Sequence, residues 1–204
     1  MSQTSAGAII VRHIEELEAA VRYARGPMSK ALGNAVAELL TDETRRLGWN
    51  GDIPRDLNEQ IWFAPNEWRT ANDSEDYYDL FIELEDTDCI DGGDTRTWIG
   101  TFCGFAGAGI RLGLDTNALG PKSWKSLLRK ESDLIDQLLD AGFLCDAKKG
   151  ELAVLMTFDR DALAQAFADD DFDEALLPLA QAIERIVKAR PLLDELVGLI
   201  RQRA

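Results

Sequence analysis

An alternation of apolar and acidic side chains that begins near Tyr77 constrains the fold more than any other feature of the chain. Alternate residues are apolar, namely Tyr78, Leu80, Ile82 and Leu84. The residues between them are acidic, namely Asp79, Glu83 and Glu85, and Phe81 is the exception. Successive side chains of a β-strand point to opposite faces of the sheet. The pattern therefore predicts a strand with one apolar and one polar face, as in an antiparallel sheet covered on one side.

Residues 77–115 as a whole are predicted to form a three-strand antiparallel meander. Its second strand is expected over residues 97–104, which are rich in the aromatic and β-branched side chains that favour strands. Its third strand begins at Ala108, and residues 86–95 are expected to be a loop. Glycine reaches positive φ without a steric penalty, and three glycines lie where the second strand has to turn into the third: Gly104, Gly107 and Gly109.

Helices are predicted on both sides of this sheet. Before it, apolar residues at helical spacing indicate helices over 8–25 and 28–47, which would form a hairpin because a Gly-Pro pair stops the first one. Residues 49–57 are expected to be a loop and residues 59–64 a short strand. After the meander we expect, in order, a helix over 122–141, a hairpin of 143–146 with 152–158, and helices over 160–167, 173–189 and 192–203.

The predicted fold class is α+β, with an antiparallel sheet of about five strands flanked by an N-terminal helical hairpin and C-terminal helices. A chain of 204 residues is long enough for one sizeable core, and we expect a single domain over residues 1–204. Its parts would be the hairpin (1–48), the sheet with one inserted helix (58–158) and the C-terminal helices (159–204).

The net charge of −15 is concentrated in two segments. Residues 67–96 contain eleven acids and two bases, and residues 159–174 contain seven acids and one base. The rest of the chain is therefore neutral. Acidic surfaces repel nucleic-acid phosphates and attract basic proteins. The charge thus disfavours direct binding of nucleic acid and favours a basic protein partner.

A cytoplasmic location and no membrane association are expected. No apolar run approaches the roughly 18 residues that a membrane-spanning helix needs, and the first residues lack the basic-then-apolar order of a secretory signal. The three cysteines are odd in number and have no CxxC spacing. That usage indicates free thiols in a reducing compartment.

The dense carboxylates admit two interpretations. Carboxylate oxygens are the ligands that Mg²⁺ and Ca²⁺ prefer, and the candidate metal ligands would be Asp79, Glu83 and Glu85. However, the loop DTDCIDGGD departs from the EF-hand pattern at Ile90, and residues 67–96 contain no lysine for a two-metal nuclease site. A solvated sheet face explains the acids without a metal. We therefore predict no cofactor, with Mg²⁺ or Ca²⁺ as the alternative.

Nothing in the sequence assigns a catalytic residue. His13 is the single histidine and lies in a predicted helix, and no GxSxG-type nucleophile motif occurs. The glycine-rich run GFAGAGIRLG is followed by a strand pattern, whereas a phosphate site needs a helix N-terminus there. The enzyme question stays open, and a non-enzymatic role is favoured.

Tryptophans just before the first acidic segment suggest how a partner would be held. Buried aromatic side chains often provide most of the binding energy of an interface, while nearby charges accelerate association and select the partner. The predicted partner-binding residues are Trp62, Trp68, Asp79, Glu83, Glu85, Asp86, Asp88 and Asp91.

The C-terminal segment 171–200 is similar to segments that accompany bacterial PD-(D/E)xK nuclease domains. The similarity covers about 30 residues of common helix-forming types. The E-x-K element of that family is missing, because Glu83-Leu84-Glu85 has glutamate in the position of the lysine.

Three functions therefore stay open. The first is a non-enzymatic acidic binding protein that engages a basic protein, of the immunity, inhibitor or nucleic-acid-mimic type. The second is a metal-dependent or degenerate PD-(D/E)xK-like domain with the three ligands named above. The third is a structural subunit that forms a homo-oligomer through its terminal helices.

Overall fold

A computed structural model of the chain describes residues 3–70, 77–87 and 97–204. Its helices are α1 (Gln3–Arg12), α2 (Ile14–Tyr23), α3 (Ser29–Leu47), α4 (Trp98–Phe102), α5 (Pro121–Lys130), α6 (Ser132–Asp140), α7 (Arg160–Asp169), α8 (Leu177–Lys188) and α9 (Arg190–Arg201). Its strands are β1 (Trp49–Asp52), β2 (Trp62–Pro65), β3 (Phe81–Asp86), β4 (Ile110–Asp115), β5 (Leu144–Asp146) and β6 (Glu151–Met156). Short helical turns occupy Ala24–Met28, Asn66–Trp68 and Phe105–Gly107.

The strands form one antiparallel sheet in the order β1-β2-β3-β4-β6-β5. The predicted α+β class is therefore confirmed, with six described strands instead of about five. The additional strand is β1, which lies where a loop was expected. Gly51 permits this pairing, because a Cβ on it would overlap the carbonyl oxygen of Trp62 and lie 2.7 Å from the Cβ of Phe63.

The three-strand meander is wrong, because its predicted middle strand is the short helix α4. Thr97 is the N-cap of this helix and accepts a hydrogen bond from the backbone N–H of Gly100 at 3.1 Å. This local cap outweighs the strand preference of the aromatic and β-branched side chains. Strand β3 consequently pairs directly with β4, and the turn between α4 and β4 uses the positive φ of Gly104 (67°) and Gly107 (76°).

The predicted N-terminal hairpin is also wrong. Residues 24–28 form a π-helical turn, and the residues on both sides of it, Tyr23 and Ser29, have helical φ and ψ. The chain therefore continues from α2 into α3 without reversing. Proline cannot donate the usual helical hydrogen bond and crowds the preceding turn. The wider π turn accommodates Pro27, and the Ser29 hydroxyl donates to the Ala24 carbonyl at 2.8 Å.

The second half of the chain follows the prediction more closely. The β5–β6 hairpin is present, with Cys145 opposite Leu152. The helix expected over 122–141 is divided into α5 and α6 at Glu131, whose φ and ψ (−91° and 51°) are not helical. Three C-terminal helices occur, although α8 begins at Leu177 and not at residue 173.

The core lies on one face of the sheet. Buried apolar residues from Leu32 to Ile200 form one cluster, which includes Ile82 and Leu84 of β3 and Leu112 of β4. Helix α3 packs beside β1, α8 packs against β6, and α9 packs against α6 and α8. The opposite face of the sheet, called the outer face below, carries Glu83 and Glu85 of β3. The single-domain assignment for residues 1–204 stays a prediction.

Candidate functional site

The outer face brings together residues from three adjacent strands. Trp62 of β2 lies opposite Glu83 of β3, and Glu85 lies opposite Arg111 of β4. Side chains of directly opposed residues share one face of an antiparallel sheet. The structure thus places three predicted partner-binding residues, Trp62, Glu83 and Glu85, on one half-exposed surface. Their role in binding stays a prediction.

Arg111 organises the acids in the middle of this face. Its Nε donates to the Glu85 carboxylate at 2.6 Å, and its Nη1 lies 3.5 Å from the Glu151 carboxylate. Gly113 makes room for this cluster, because a Cβ there would lie 2.7 Å from Oε2 of Glu85. Glu83 makes none of these contacts with Arg111. One arginine therefore neutralises only part of the carboxylate charge.

Of the acids on the outer face, Glu83 is the one whose ionisation is most clearly opposed by its surroundings. Burial raises the pKa of its carboxyl above the ordinary value, and the nearby charges of Glu85 and Asp115 raise it further. A hydrogen bond with Gln60 opposes this pKa rise without cancelling it. A cation brought to the outer face would stabilise the ionised form of Glu83.

This environment predicts how stability depends on pH. Because the folded-state pKa of Glu83 is raised, the folded protein binds this proton more tightly than the unfolded chain does. Its stability contribution is present below the ordinary pKa of 4.5 and is lost as the pH rises to the folded-state value. We expect Glu83→Gln to raise the melting temperature at pH 7 by about 1–2 °C, and the gain should vanish near pH 4.

Circular-dichroism melts of both proteins from acidic to neutral pH measure this difference. Glu195→Gln is the matched control, since Glu195 is an exposed carboxylate on α9. A gain for Glu83→Gln that is independent of pH, or is matched by the control, contradicts the assignment.

A cavity of about 530 Å³ opens beside Trp62 at the β1–β2 end of the outer face. Asn50, Asp52, Gln60 and Asn117 provide its polar lining, and Trp62, Tyr78 and Phe81 its aromatic lining. The rings of Trp62 and Tyr78 have centroids 5.3 Å apart at an interplanar angle of 55°. The Tyr78 hydroxyl is buried and has no hydrogen-bond partner among the described residues. The volume suits a side chain or small ligand.

Two predicted partner-binding residues, Trp68 and Asp79, face the interior instead. Trp68 is 1% exposed, and its Nε1–H donates to Asp194 at 2.7 Å, while the guanidinium of Arg190 lies over its ring. Asp79 is 2% exposed and pairs with Arg201 at 2.6 Å. Both side chains attach α9 to the segment that precedes β3. Both side chains are covered in the folded chain, and their role in partner binding stays a prediction.

Of the remaining predicted acids, only Asp86 lies within the described residues, at the end of β3. Asp86 is the last residue of that strand and is half-buried. Asp88 and Asp91 lie outside the described residues. Asp86 is opposite Ile110, which is opposite Met156, so these residues share one end of the sheet. The second acidic segment begins at Asp159, three residues after β6, and therefore starts at that same end.

The candidate metal ligands are not brought together. Asp79 accepts hydrogen bonds from Arg201 and Thr70, whereas Glu83 and Glu85 lie on the outer face. Within residues 3–70, 77–87 and 97–204, no cluster of three potential metal-binding side chains occurs. The structure therefore does not assemble the metal site with Asp79, Glu83 and Glu85.

Several residues of the site were not identified from the sequence. The pairing of Arg111 with Glu85 follows from strand register, which the incorrect meander obscured. Asp52 and Asn50 belong to β1, which was expected to be a loop, and Asn117 comes from the loop after β4. Their short polar side chains gave no periodic signal.

The chain matches no protein-family model and has no significant match among curated proteins or solved structures. These comparisons do not support the similarity of residues 171–200 to segments of PD-(D/E)xK proteins. In the described ranges, no helix is long and apolar enough to cross a membrane. Function must therefore be inferred from the residues of the outer face.

Proposed function

We propose that this chain is a non-enzymatic binding protein that engages a basic protein partner through the outer face of its sheet. The observation that carries the proposal is Glu83, a carboxylate whose ionisation is opposed by burial and by neighbouring acids on a face that also presents Trp62. An unfavourable charge is retained where a partner compensates it. A lysine or arginine of the partner would do so.

The cavity beside Trp62 is the proposed receptor for that cationic side chain. The Trp62 ring offers an aromatic surface for a cation, and Asp52 offers a carboxylate across the β1–β2 pair. Asn50, Gln60 and Asn117 offer amide oxygens to the donor groups of an arginine. Aromatic, carboxylate and amide groups together suit arginine better than a simple ammonium group.

The acidic segments would steer the partner to this face. Asp79 and Glu67 of the first segment are paired with Arg201 and Arg190. The second segment, which starts at the Asp86 end of the sheet, contains exposed acids on and after α7. Such long-range attraction speeds association and weakens with salt. The partner would be a toxin, an inhibited enzyme or a nucleic-acid-binding protein, the three versions of this role.

Binding of an oligo-arginine peptide tests the proposal. We expect titration calorimetry at low salt to detect binding that weakens steeply as salt is added. Trp62→Ala should weaken it by about tenfold, because it removes the aromatic anchor. Glu83→Gln should weaken it by about threefold while leaving the fold intact.

The control variant makes the same change of charge at a position away from the outer face. Glu195→Gln lowers the negative charge as much as Glu83→Gln does, yet lies on α9. If the control weakens peptide binding as much as Glu83→Gln, the attraction is a property of net charge alone. That result, or no binding at low salt, contradicts a specific site on the outer face.

A cytoplasmic location belongs to this proposal. Cys103 and Cys145 are half-buried free thiols, and burial raises the pKa of both. Thiols of this kind are typical of proteins from a reducing compartment. The assembly role is retained as a second candidate for α1 and α2 alone, because these helices leave apolar side chains uncovered.

A further inference from the structure

Helix α5 is a basic segment in an acidic protein. Residues 116–130 contain four bases and no acid. The helix buries Trp124, Leu127 and Leu128 in the core, so its bases lie on the sides that remain outside the core. These bases are Lys122, Lys125, Arg129 and Lys130. Grouped cations on a chain of net charge −15 form a local positive surface, and such a surface attracts anions.

The fold does not use the lysines of α5 to neutralise its acids. Acids outnumber bases by 37 to 22, yet no carboxylate of the described residues forms an ion pair with Lys122, Lys125 or Lys130. Lys122 also lies in the first turn of α5, where the helix dipole favours an acid. Such local conflicts concentrate at functional sites. An anion bound beside α5 would relieve this one.

A cavity of about 460 Å³, called the basic groove below, lies beside α5. It is lined by Lys122, Ser123, Ser126, Lys130 and Arg203. Every lining residue offers a hydrogen-bond donor, and none offers a carboxylate. Arg203 reaches the groove from the segment after α9 and is held by an ion pair with Glu131. Glu131 compensates one charge, so the three cations leave two positive charges for a ligand.

The donors of the basic groove are those that phosphate oxygens accept. Ammonium and guanidinium groups form short, charge-assisted hydrogen bonds with phosphate, and a guanidinium can donate two parallel ones. The hydroxyls of Ser123 and Ser126 add neutral donors. Lys122 and Lys130 are eight positions apart, which is about 12 Å along the helix axis. Linked phosphate groups span more of this length than a single phosphate does.

The charge of the whole chain favours a small ligand over a polymer. Beyond the screening length of about 8 Å at physiological salt, the attraction of the groove fades. A nucleic acid or an acidic protein extends farther than that and would meet the acids that give the chain its net charge of −15. A small anion stays within reach of the lining cations. A single carboxylate is a poorer match, because it brings one negative charge to two uncompensated positive charges.

We propose that the basic groove binds a small molecule with linked phosphate groups, of which pyrophosphate and a nucleoside diphosphate are the simplest forms. Lys122 and Lys130 bind the phosphate oxygens from the two ends of the groove, and the guanidinium of Arg203 binds them from its side. No residue of the basic groove lines the cavity beside Trp62. The inference therefore goes beyond the function proposed above and does not depend on it.

Titration calorimetry of the full chain with pyrophosphate, at physiological salt and without divalent ions, tests the proposal. We expect saturable binding with a dissociation constant below about 1 mM. Lys130→Gln should weaken binding by about fivefold and leave the melting temperature unchanged, because Lys130 is exposed. The matched control is Lys188→Gln on α8, which removes the charge of a lysine whose side chain is 81% exposed and should leave binding unchanged.

Titrations with ADP and with a single-stranded DNA oligonucleotide identify the kind of ligand. Tighter binding of ADP than of pyrophosphate assigns a nucleotide to the groove, whereas equal or weaker binding assigns the phosphate groups alone. The oligonucleotide should bind about tenfold more weakly than pyrophosphate. Oligonucleotide binding as tight as that of pyrophosphate overturns the small ligand. The absence of saturable pyrophosphate binding, or an equal loss for Lys130→Gln and Lys188→Gln, overturns the site itself.

Discussion

Replacing Arg201 by leucine should lower the melting temperature by about 5–8 °C, because the change leaves the buried Asp79 carboxylate without its cationic partner. Nε of Arg201 donates to Asp79 at 2.6 Å, and its Nη2 donates to the carbonyl of Glu67 at 2.8 Å. Thr70 supplies a further hydrogen bond to Asp79 at 2.9 Å. Because Arg201 is itself 47% exposed, its removal should cost less unfolding free energy than the roughly 3–5 kcal/mol lost when a fully buried pair is broken. Thermal melts measure the loss.

An exposed ion pair provides the control for this prediction. Arg45 and Asp42 pair at 2.7 Å on the surface of α3, with both side chains largely exposed. Surface pairs contribute little, so Arg45→Leu should change the melting temperature by about 1–2 °C. A double Asp79→Leu, Arg201→Leu variant should recover part of the stability, because no charge is left unpaired. Equal losses for Arg201→Leu and Arg45→Leu would show that burial does not strengthen the Asp79 pair.

The burial of Asp79 explains why this part of the candidate site was predicted incorrectly. Alternation along the chain assigned Asp79 to the solvated face, together with Glu83 and Glu85. Strand β3 begins only at Phe81, so the period of two does not extend back to Asp79. Its partner, Arg201, is 122 residues away in the sequence. A contact of that range leaves no local signal in the sequence.

The features that were predictable depend on neighbours in the chain. Gly48 ends α3 in the left-handed conformation, and Pro121 and Pro191 lie in the first turn of α5 and α9, because caps act over one turn. Strand β1 was not predicted because its formation depends on residues farther along the chain. Its residues have no strand pattern, and they become a strand only by pairing with β2.

The residues of the candidate site show the same difference between features set by local sequence and features set by distant pairing. Trp62, Glu83 and Glu85 were predictable as site residues because each belongs to a strand with recognisable apolar neighbours. The lining of the cavity was not, since Asp52 comes from an edge strand and Asn117 from a loop. The loop between β1 and β2 is important for the cavity, because it positions Gln60 and leads directly into Trp62 at the start of β2.

The position of that loop depends on Gly33 of α3, and Gly33→Ala should lower the melting temperature by about 5 °C. A Cβ on Gly33 would overlap the carbonyl oxygen of Arg55, which is a backbone atom of the loop. Alanine favours a helix by about 1 kcal/mol over glycine, so the clash has to exceed this gain. Displacement of the loop should also weaken binding of the oligo-arginine peptide.

The same substitution in α9 separates the clash from the helix preference. Among the described residues, a Cβ on Gly198 has no neighbour within 4 Å, so Gly198→Ala should raise the melting temperature by about 2 °C and leave peptide binding unchanged. Opposite signs for the two variants would show that α3 holds the β1–β2 loop, and through it the cavity beside Trp62. If Gly33→Ala is stabilising as well, α3 does not position this loop, and the cavity must depend on the sheet alone.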